Sequence, residues 1–146
     1  LDPYLGIAKC LQSKGDYGPA IRYLKQALGL NQFQRDVLLD LAKSYLEIGS
    51  LEPAMIYYRR VLKLEPTHLD AQFGLAMVLD LNQQDEEAIA LYQQMIQQHP
   101  DFLPSYNNLA SLYMRNGQFS KAESMFRYLI HQSPAFVRGH LGLALT

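Results

Sequence analysis

LPSYNNLASLYMRNGQFSKAESMFRYLIHQSPAF, from Leu103 to Phe136, is the segment whose pattern recurs throughout this chain of 146 residues. Its first half places apolar residues at intervals of three and four, at Tyr106, Leu109, Ala110 and Tyr113. Its second half repeats that interval at Ala122, Phe126 and Leu129. This is the period of a helix with one buried face, so the segment is predicted to form two amphipathic helices. Gly117 separates them, and Pro134, which has no N–H to extend a helix, ends the unit.

The same pattern returns every 34 residues along the chain. Alanine occupies two fixed positions, the first at Ala8, Ala42, Ala76, Ala110 and Ala144 and the second at Ala20, Ala54, Ala88 and Ala122. Larger apolar residues share three positions, which hold Ile7, Leu41, Leu75, Leu109 and Leu143, then Leu11, Tyr45, Leu79 and Tyr113, then Leu24, Tyr58, Tyr92 and Phe126. The alanines predict places where two helices cross closely, and the larger residues are predicted to fill the space around them.

Glycines and prolines mark the ends of the predicted helices. Gly15, Gly49 and Gly117 stand where a first helix needs a left-handed residue to end, and Gln83 takes this position in the third repeat. The prolines separate repeats or stand in first helical turns, where a missing N–H costs little. We therefore predict helices over residues 3–14, 17–30, 36–48, 51–64, 69–82, 85–98, 103–116 and 119–132, and from 137 onward.

A 34-residue helix-turn-helix unit with Leu-Ala at positions 7 and 8, Tyr at 11, Gly at 15, Ala at 20, Phe or Tyr at 24 and Pro at 32 resembles the tetratricopeptide repeat. The first repeat departs furthest, because Gln32 replaces the closing Pro. The resemblance implies an all-α fold, a right-handed superhelical α-solenoid. It implies one domain with repeats 1–34, 35–68, 69–102 and 103–136 and the first helix of a fifth, 137–146. Since that helix lacks its partner, we expect the chain to be part of a longer protein.

The composition argues against several classes of function. With 13 basic and 14 acidic residues the formal net charge is −1, so the chain lacks the positive field that a phosphate backbone requires, and no nucleic-acid partner is predicted. No apolar run approaches the roughly 20 residues that span a bilayer. The single cysteine, Cys10, cannot form an internal disulfide. Because the fold does not depend on an oxidising compartment, the cysteine content favours the cytoplasm and leaves the periplasm open.

Side chains that carry chemistry in other proteins have simpler interpretations here. No phosphate-binding loop, nucleophile motif or zinc-ligand spacing occurs in the sequence. His68, His99 and His131 stand at different positions of the repeat, so they are predicted to be solvated turn residues and not metal ligands. The run Asp85-Glu86-Glu87 opens a predicted helix, where carboxylates interact favourably with exposed N–H groups. No catalytic residue, cofactor or metal is predicted.

First helices line a concave surface in the family that this chain resembles. The resemblance therefore implies a groove for an extended or helical peptide, with the contact residues Leu5, Lys9, Leu39, Lys43, Phe73, Met77, Asp80, Asn107, Asn108, Ser111, Met114 and Arg115. Four apolar members lie off the face that packs within a repeat, namely Leu39, Phe73, Met77 and Met114. Two interpretations stay open for these four, a binding surface or packing against the neighbouring repeat.

Position 6 holds Gly6, Asp40, Gly74, Asn108 and Gly142 in successive repeats. Because glycine within a helix costs about 1 kcal/mol relative to alanine, its recurrence indicates that a ligand or an adjacent helix approaches the backbone. Asn108 resembles the inner asparagine with which some tetratricopeptide arrays hold a peptide backbone. The family's clamp for C-terminal carboxylates needs polar residues where Leu5 and Leu39 stand, so a terminal carboxylate is not the predicted ligand.

The middle of the chain is acidic. No Lys or Arg occurs from Leu64 to Met114, whereas seven Asp and Glu residues do. This distribution predicts a partly basic peptide as the partner. The aspartates at position 2, which are Asp2, Asp36 and Asp70, have helix capping as the alternative and favoured role.

The predicted function is a non-catalytic adaptor that binds a segment of another protein. Two alternatives stay open. In the first alternative, the chain is a substrate-recruiting region of a larger enzyme, such as a transferase. In the second, it is a scaffold that self-associates through its uncapped C-terminal helix. Further sequence beyond Thr146 would test the first alternative, and concentration-dependent sizing would test the second.

Overall fold

A computed structural model describes residues 2–31 and 34–135, and within them it contains eight α-helices and no strand. These helices are α1 (Pro3–Ser13), α2 (Tyr17–Leu30), α3 (Arg35–Glu47), α4 (Leu51–Leu64), α5 (Leu69–Leu81), α6 (Asp85–Gln98), α7 (Leu103–Arg115) and α8 (Phe119–Gln132). Every boundary lies within one residue of its predicted position, and the predicted all-α fold is confirmed. The predicted helix from 137 onward and the junction at Gln32 lie outside the described residues. None of the described helices is long and apolar enough to cross a membrane.

First helices end with a residue in the left-handed conformation. Gly15, Gly49 and Gly117 have φ angles of 83°, 77° and 75°, as predicted. Gln83 ends α5 in the same conformation, with a φ of 60°, although it carries a side chain. The Gln84 N–H then bonds to a carbonyl of the last turn at 2.9 Å, as the residues after the three glycines do. The third repeat therefore keeps the turn at the cost of backbone strain.

We expect Gln83→Gly to stabilise the fold by about 0.5–1 kcal/mol. Left-handed geometry costs an L-residue about 1–2 kcal/mol, and part of the gain is lost because glycine has more freedom in the unfolded chain. Urea denaturation followed by circular dichroism measures the difference. The control, Gly49→Gln, places the same side chain on an equivalent glycine and is expected to destabilise. Equal stability of the parent and both variants would contradict the prediction.

The chain divides into two compact units at Gln84 and Asp85, and each is described by itself. In the first unit α1 pairs with α2 and α3 pairs with α4, while α2 packs on α3 and α5 packs on α4 and α3. In the second unit α7 packs on both α6 and α8. The organisation as a single domain stays a prediction.

The repeated alanines are fully buried, as close helix crossings require. Those among the described residues are Ala8, Ala20, Ala42, Ala54, Ala76, Ala88, Ala110 and Ala122. Leu24, Tyr58 and Tyr92, which share position 24, are at most 2% exposed. Ile7 does not fill a buried space as predicted, because α1 packs mainly on α2, which covers one side of it.

The three aspartates at position 2 have different roles. Asp2 caps α1, because its Oδ1 accepts a hydrogen bond from the backbone N–H two residues later at 2.9 Å. Asp36 and Asp70 lie inside the first turns of α3 and α5, so the capping prediction is wrong for both. The reason is that these helices begin before position 2. His68 caps α5 through Nδ1, so it is a half-buried cap and not the solvated residue predicted.

Candidate functional site

An open groove of about 520 Å³ lies in the first unit, and we call it the α3/α5 groove. Helices α3 and α5 each contribute four lining residues, and α1, α2 and α4 contribute one each. The lining residues are Gln12, Tyr17, Asp40, Lys43, Leu46, Glu47, Tyr58, Asp70, Phe73, Gly74 and Met77. On α5 they are spaced by three and four residues, and on α3 nearly so, which places each set on one helix face.

The groove combines apolar surface with negative charge. Phe73 and Met77 are one helical turn apart on α5, and both are partly exposed. Three carboxylates line the groove, those of Asp40, Glu47 and Asp70, against the one ammonium group of Lys43. A partner with an apolar and a basic side chain would therefore find complementary groups.

Two ion pairs connect position 9 of one repeat to the first helix of the next. Lys43 Nζ lies 3.3 Å from Asp70 Oδ2, and Lys9 Nζ lies 3.5 Å from Asp40 Oδ2. Both lysines are exposed, so solvent screens these pairs and each is worth at most about 1 kcal/mol. Asp40 Oδ2 is itself buried and accepts no hydrogen bond within the described part of the chain.

An adjacent helix explains the glycine at position 6 of the third repeat. The phenol end of Tyr58, on α4, occupies the space beside Gly74, so that a Cβ at Gly74 would overlap the ring. The predicted approach of a helix to the backbone is therefore confirmed at Gly74. At Gly6 a Cβ would meet no atom within 4 Å, so no adjacent helix of the described residues approaches there, and the alternative of a ligand stays a prediction.

Tyr58 is a core residue that also lines the groove. Its side chain is only 2% exposed, but its phenol end lies at the groove surface beside Gly74. Burial is the main cause that raises the pKa of its hydroxyl above the ordinary value, and the charges of Asp70 and Glu47 raise this pKa further. The hydroxyl is therefore protonated at neutral pH and can donate a hydrogen bond.

Asn108 occupies position 6 in the second unit, where it has a different contact. Its Nδ2 donates a hydrogen bond to Tyr92 Oη at 3.2 Å. Tyr92 has the same repeat position as Tyr58, so the same pair of positions holds Tyr–Gly in one unit and Tyr–Asn in the other. The Asn108 amide, predicted to hold a peptide backbone, donates within its own unit.

Three of the predicted contact residues line the α3/α5 groove, namely Lys43, Phe73 and Met77. For Phe73 and Met77, partial exposure supports the interpretation as a binding surface. Leu39 is buried, at 8% exposed, and is not among the residues that line this groove, which favours the alternative of core packing. Its helix, α3, packs on α2, α4 and α5.

Three further predicted residues of the first unit do not line this groove. Leu5 lines a separate groove of about 390 Å³ with residues 34–37. Lys9 is exposed and reaches the groove only through its ion pair with Asp40. Asp80, on the last turn of α5, is half-buried and is not among the lining residues.

The predicted contact residues of α7 belong to the second unit, and their contacts are different from one residue to the next. Ser111 Oγ donates to the main-chain oxygen of Asn107 at 3.1 Å, and Arg115 Nη2 lies 2.7 Å from Asp85 Oδ1. Met114 is 47% exposed and lines an apolar groove of about 470 Å³. The apolar residues beside it are Phe119, Phe126 and Ile130. A binding role for Asn107, Asn108, Ser111, Met114 and Arg115 stays a prediction.

The two tyrosines that line the α3/α5 groove were not predicted, because only first helices were expected to line it. Tyr17 and Tyr58 belong to α2 and α4. A signal for Tyr58 was present, since a tyrosine at position 24 precedes a glycine at position 6 of the next repeat. The glycine leaves room for the ring end of the tyrosine.

Other chemically reactive side chains of the described residues have separate places in the fold. Asp85, predicted to open a helix, is the first residue of α6. Cys10 is exposed on α1. Across residues 2–31 and 34–135, no three His, Cys, Asp or Glu residues are grouped so that they could hold a metal ion.

Comparison with known sequences gives a consistent result along the chain. Family models described as tetratricopeptide repeat match residues 5–68, 54–112 and 84–144. No curated protein matches the sequence. The matched residues include every helix that lines the α3/α5 groove.

Comparison with solved structures gives the same fold. The crystal structure of MamA has a TM-score of 0.84 and 26% identity, over 90% of this chain and 77% of that one. A tetratricopeptide repeat protein from Parabacteroides merdae has a TM-score of 0.86 and 21% identity, over 96% of this chain and 56% of its own. A thermophilic protein of this repeat type from Thermus thermophilus has a TM-score of 0.70 and 21% identity, over 88% of this chain and 72% of its own.

Proposed function

Because the chain belongs to the tetratricopeptide repeat family, we propose that it is a protein-interaction module whose α3/α5 groove binds a segment of another protein. One observation carries the proposal. Phe73 and Met77 leave apolar surface partly exposed in a groove, next to carboxylates, and buried apolar side chains of a partner are the usual anchors in such sites. Proteins of this family are generally non-catalytic, and we propose no reaction for this chain.

The charges of the groove favour a partly basic partner. Lys43 is already paired with Asp70 and Lys9 with Asp40, which leaves Glu47 to attract a cationic side chain. Arginine suits this role because its planar guanidinium donates to carboxylate oxygens. We therefore propose a segment with an apolar side chain to contact Phe73 and Met77 and a nearby basic side chain.

A set of four acetylated and amidated octapeptides tests the proposal. Each peptide has an alanine-serine background and two test residues separated by one residue, so that both test side chains project on the same face of an extended chain. The four pairs of test residues are leucine with arginine, leucine with glutamate, serine with arginine, and leucine with glutamine. Fluorescence anisotropy with labelled peptides measures the affinity. We expect the leucine-arginine peptide to bind about tenfold more tightly than the leucine-glutamate peptide, because like charges in the groove repel.

Groove variants are expected to weaken the binding of the leucine-arginine peptide. Phe73→Ala removes apolar contact and Glu47→Lys reverses a charge, and each is expected to cost about tenfold in affinity. Glu52→Lys is the matched control, because it reverses an exposed acidic residue of α4 that does not line the groove. Equal affinity of parent, Phe73→Ala and Glu47→Lys, with circular dichroism showing intact helices, would contradict the proposal.

The other two predicted functions involve an attached enzyme or a second copy of the chain. Recruitment of substrates to an attached enzyme is compatible with the same groove. Self-association was predicted through residues 137–146, which lie outside the described residues. Both stay predictions.

A further inference from the structure

We propose that the Tyr58 hydroxyl donates a hydrogen bond to a main-chain carbonyl of an extended segment bound in the α3/α5 groove. This inference rests on the proposed function and names the form of the partner. The group that makes the contact comes from a second helix and reaches the groove because Gly74 has no side chain. The contact is independent of the partner's side chains, so it would add affinity without restricting sequence.

The phenol group of Tyr58 has a fixed position beside Gly74. The side chain is 2% exposed, so packing holds the ring in one place. Its ring end and hydroxyl lie against the backbone of Gly74 at the groove surface. In the second unit, Tyr92 Oη has a protein partner at the corresponding place, the Nδ2 of Asn108. Gly74 has no side chain to bond Tyr58 in this way.

The chemistry of the hydroxyl determines the kind of acceptor. Burial keeps the pKa of Tyr58 above its ordinary value, so the hydroxyl stays protonated and can donate. The nearby carboxylates of Asp70 and Glu47 repel an anionic acceptor, and they attract the partner's basic side chain instead. The acceptor that fits is a neutral carbonyl oxygen.

The same contact selects an extended partner over a helical one. Carbonyls within an α-helix are already bonded to N–H groups four residues later, whereas those of an extended segment are free. A buried donor left without a partner when the groove closes would cost affinity. An extended segment satisfies this donor, and the middle of a helix does not.

The test combines Tyr58→Phe with changes in the peptide backbone. The probes are the leucine-arginine octapeptide and analogues in which one amide at a time is replaced by an ester, whose carbonyl is a weaker acceptor. We expect Tyr58→Phe to weaken binding of the octapeptide roughly three- to tenfold, as loss of one neutral hydrogen bond would. One ester analogue is expected to bind the parent protein more weakly than the all-amide octapeptide does. Tyr58→Phe is expected to show little of this difference in affinity.

A matched control separates this effect from general loss of a hydroxyl. Tyr92→Phe removes the hydroxyl at the same repeat position outside the groove and is expected to leave octapeptide affinity unchanged. The inference is overturned if Tyr58→Phe binds the octapeptide as tightly as the parent does. It is also overturned if each amide-to-ester replacement lowers the affinity for the parent and for Tyr58→Phe by the same factor. In either case a loss of affinity in Phe73→Ala still supports the proposed function. If the octapeptide does not bind the parent protein at all, both proposals are overturned.

Discussion

Tyr92→Ala is expected to destabilise the protein by about 3–5 kcal/mol. Tyr92 is fully buried, so the truncation removes a large ring from the core and leaves a cavity that the surrounding helices fill only in part. The variant also removes the acceptor of the Asn108 hydrogen bond. Urea denaturation followed by circular dichroism measures the change in the free energy of unfolding.

Tyr92→Phe is the control for this variant, because it keeps the ring and removes only the hydroxyl. Its expected cost is about 0.5–1.5 kcal/mol, the net contribution of an ordinary hydrogen bond. If Tyr92→Ala costs no more than Tyr92→Phe, the ring does not contribute the packing energy that its burial implies.

Gly74→Ala is expected to destabilise the protein by about 1–3 kcal/mol. Alanine normally improves a helix by about 1 kcal/mol relative to glycine, so a loss of stability would have the opposite sign to helix propensity. The reason is that the new Cβ would overlap the phenol ring of Tyr58, which is buried and can move only if its neighbours move. Thermal unfolding compared with the parent protein measures the effect.

The chain provides a matched control and a compensating substitution. Gly6→Ala makes the same change at the same repeat position, but its Cβ would meet no atom within 4 Å, so we expect a gain of about 0.5–1 kcal/mol. Adding Tyr58→Leu to Gly74→Ala is expected to recover part of the loss. The first two repeats already combine Leu24 with Asp40 at these two positions. A stabilising Gly74→Ala would show that the ring moves away at little cost.

Helix boundaries were predictable because the responsible signals are local. Gly15, Gly49 and Gly117 occupy left-handed positions that an L-residue adopts only with strain, so they mark helix ends without reference to the rest of the chain. The repeated alanines were predictable for a related reason. A fixed spacing of small residues repeated along the chain has a simple explanation in the close approach of paired helices.

Membership of the candidate site was less predictable. Phe73 and Leu39 share a position of the repeat, yet Phe73 lines the α3/α5 groove and Leu39 is buried. The difference depends on how completely neighbouring helices cover each first helix. The apolar periodicity of a single helix does not predict this coverage. Similarly, Asp36 and Asp70 were expected to be caps, but the starting residues of α3 and α5 place them inside the helices.

The sequence by itself determined the limits of the eight described helices and the repeat family, because these follow from periodic burial and from the stereochemistry of glycine and proline. Only the tertiary structure decided which side chains share a groove. Tyr58 shows the physical reason, since its hydroxyl lies beside Gly74 through the packing of α4 against α5, two helices whose contact positions are separated in the sequence. Such contacts depend on the distance between helices and on the side-chain volumes between them, and these quantities exist only in the folded chain.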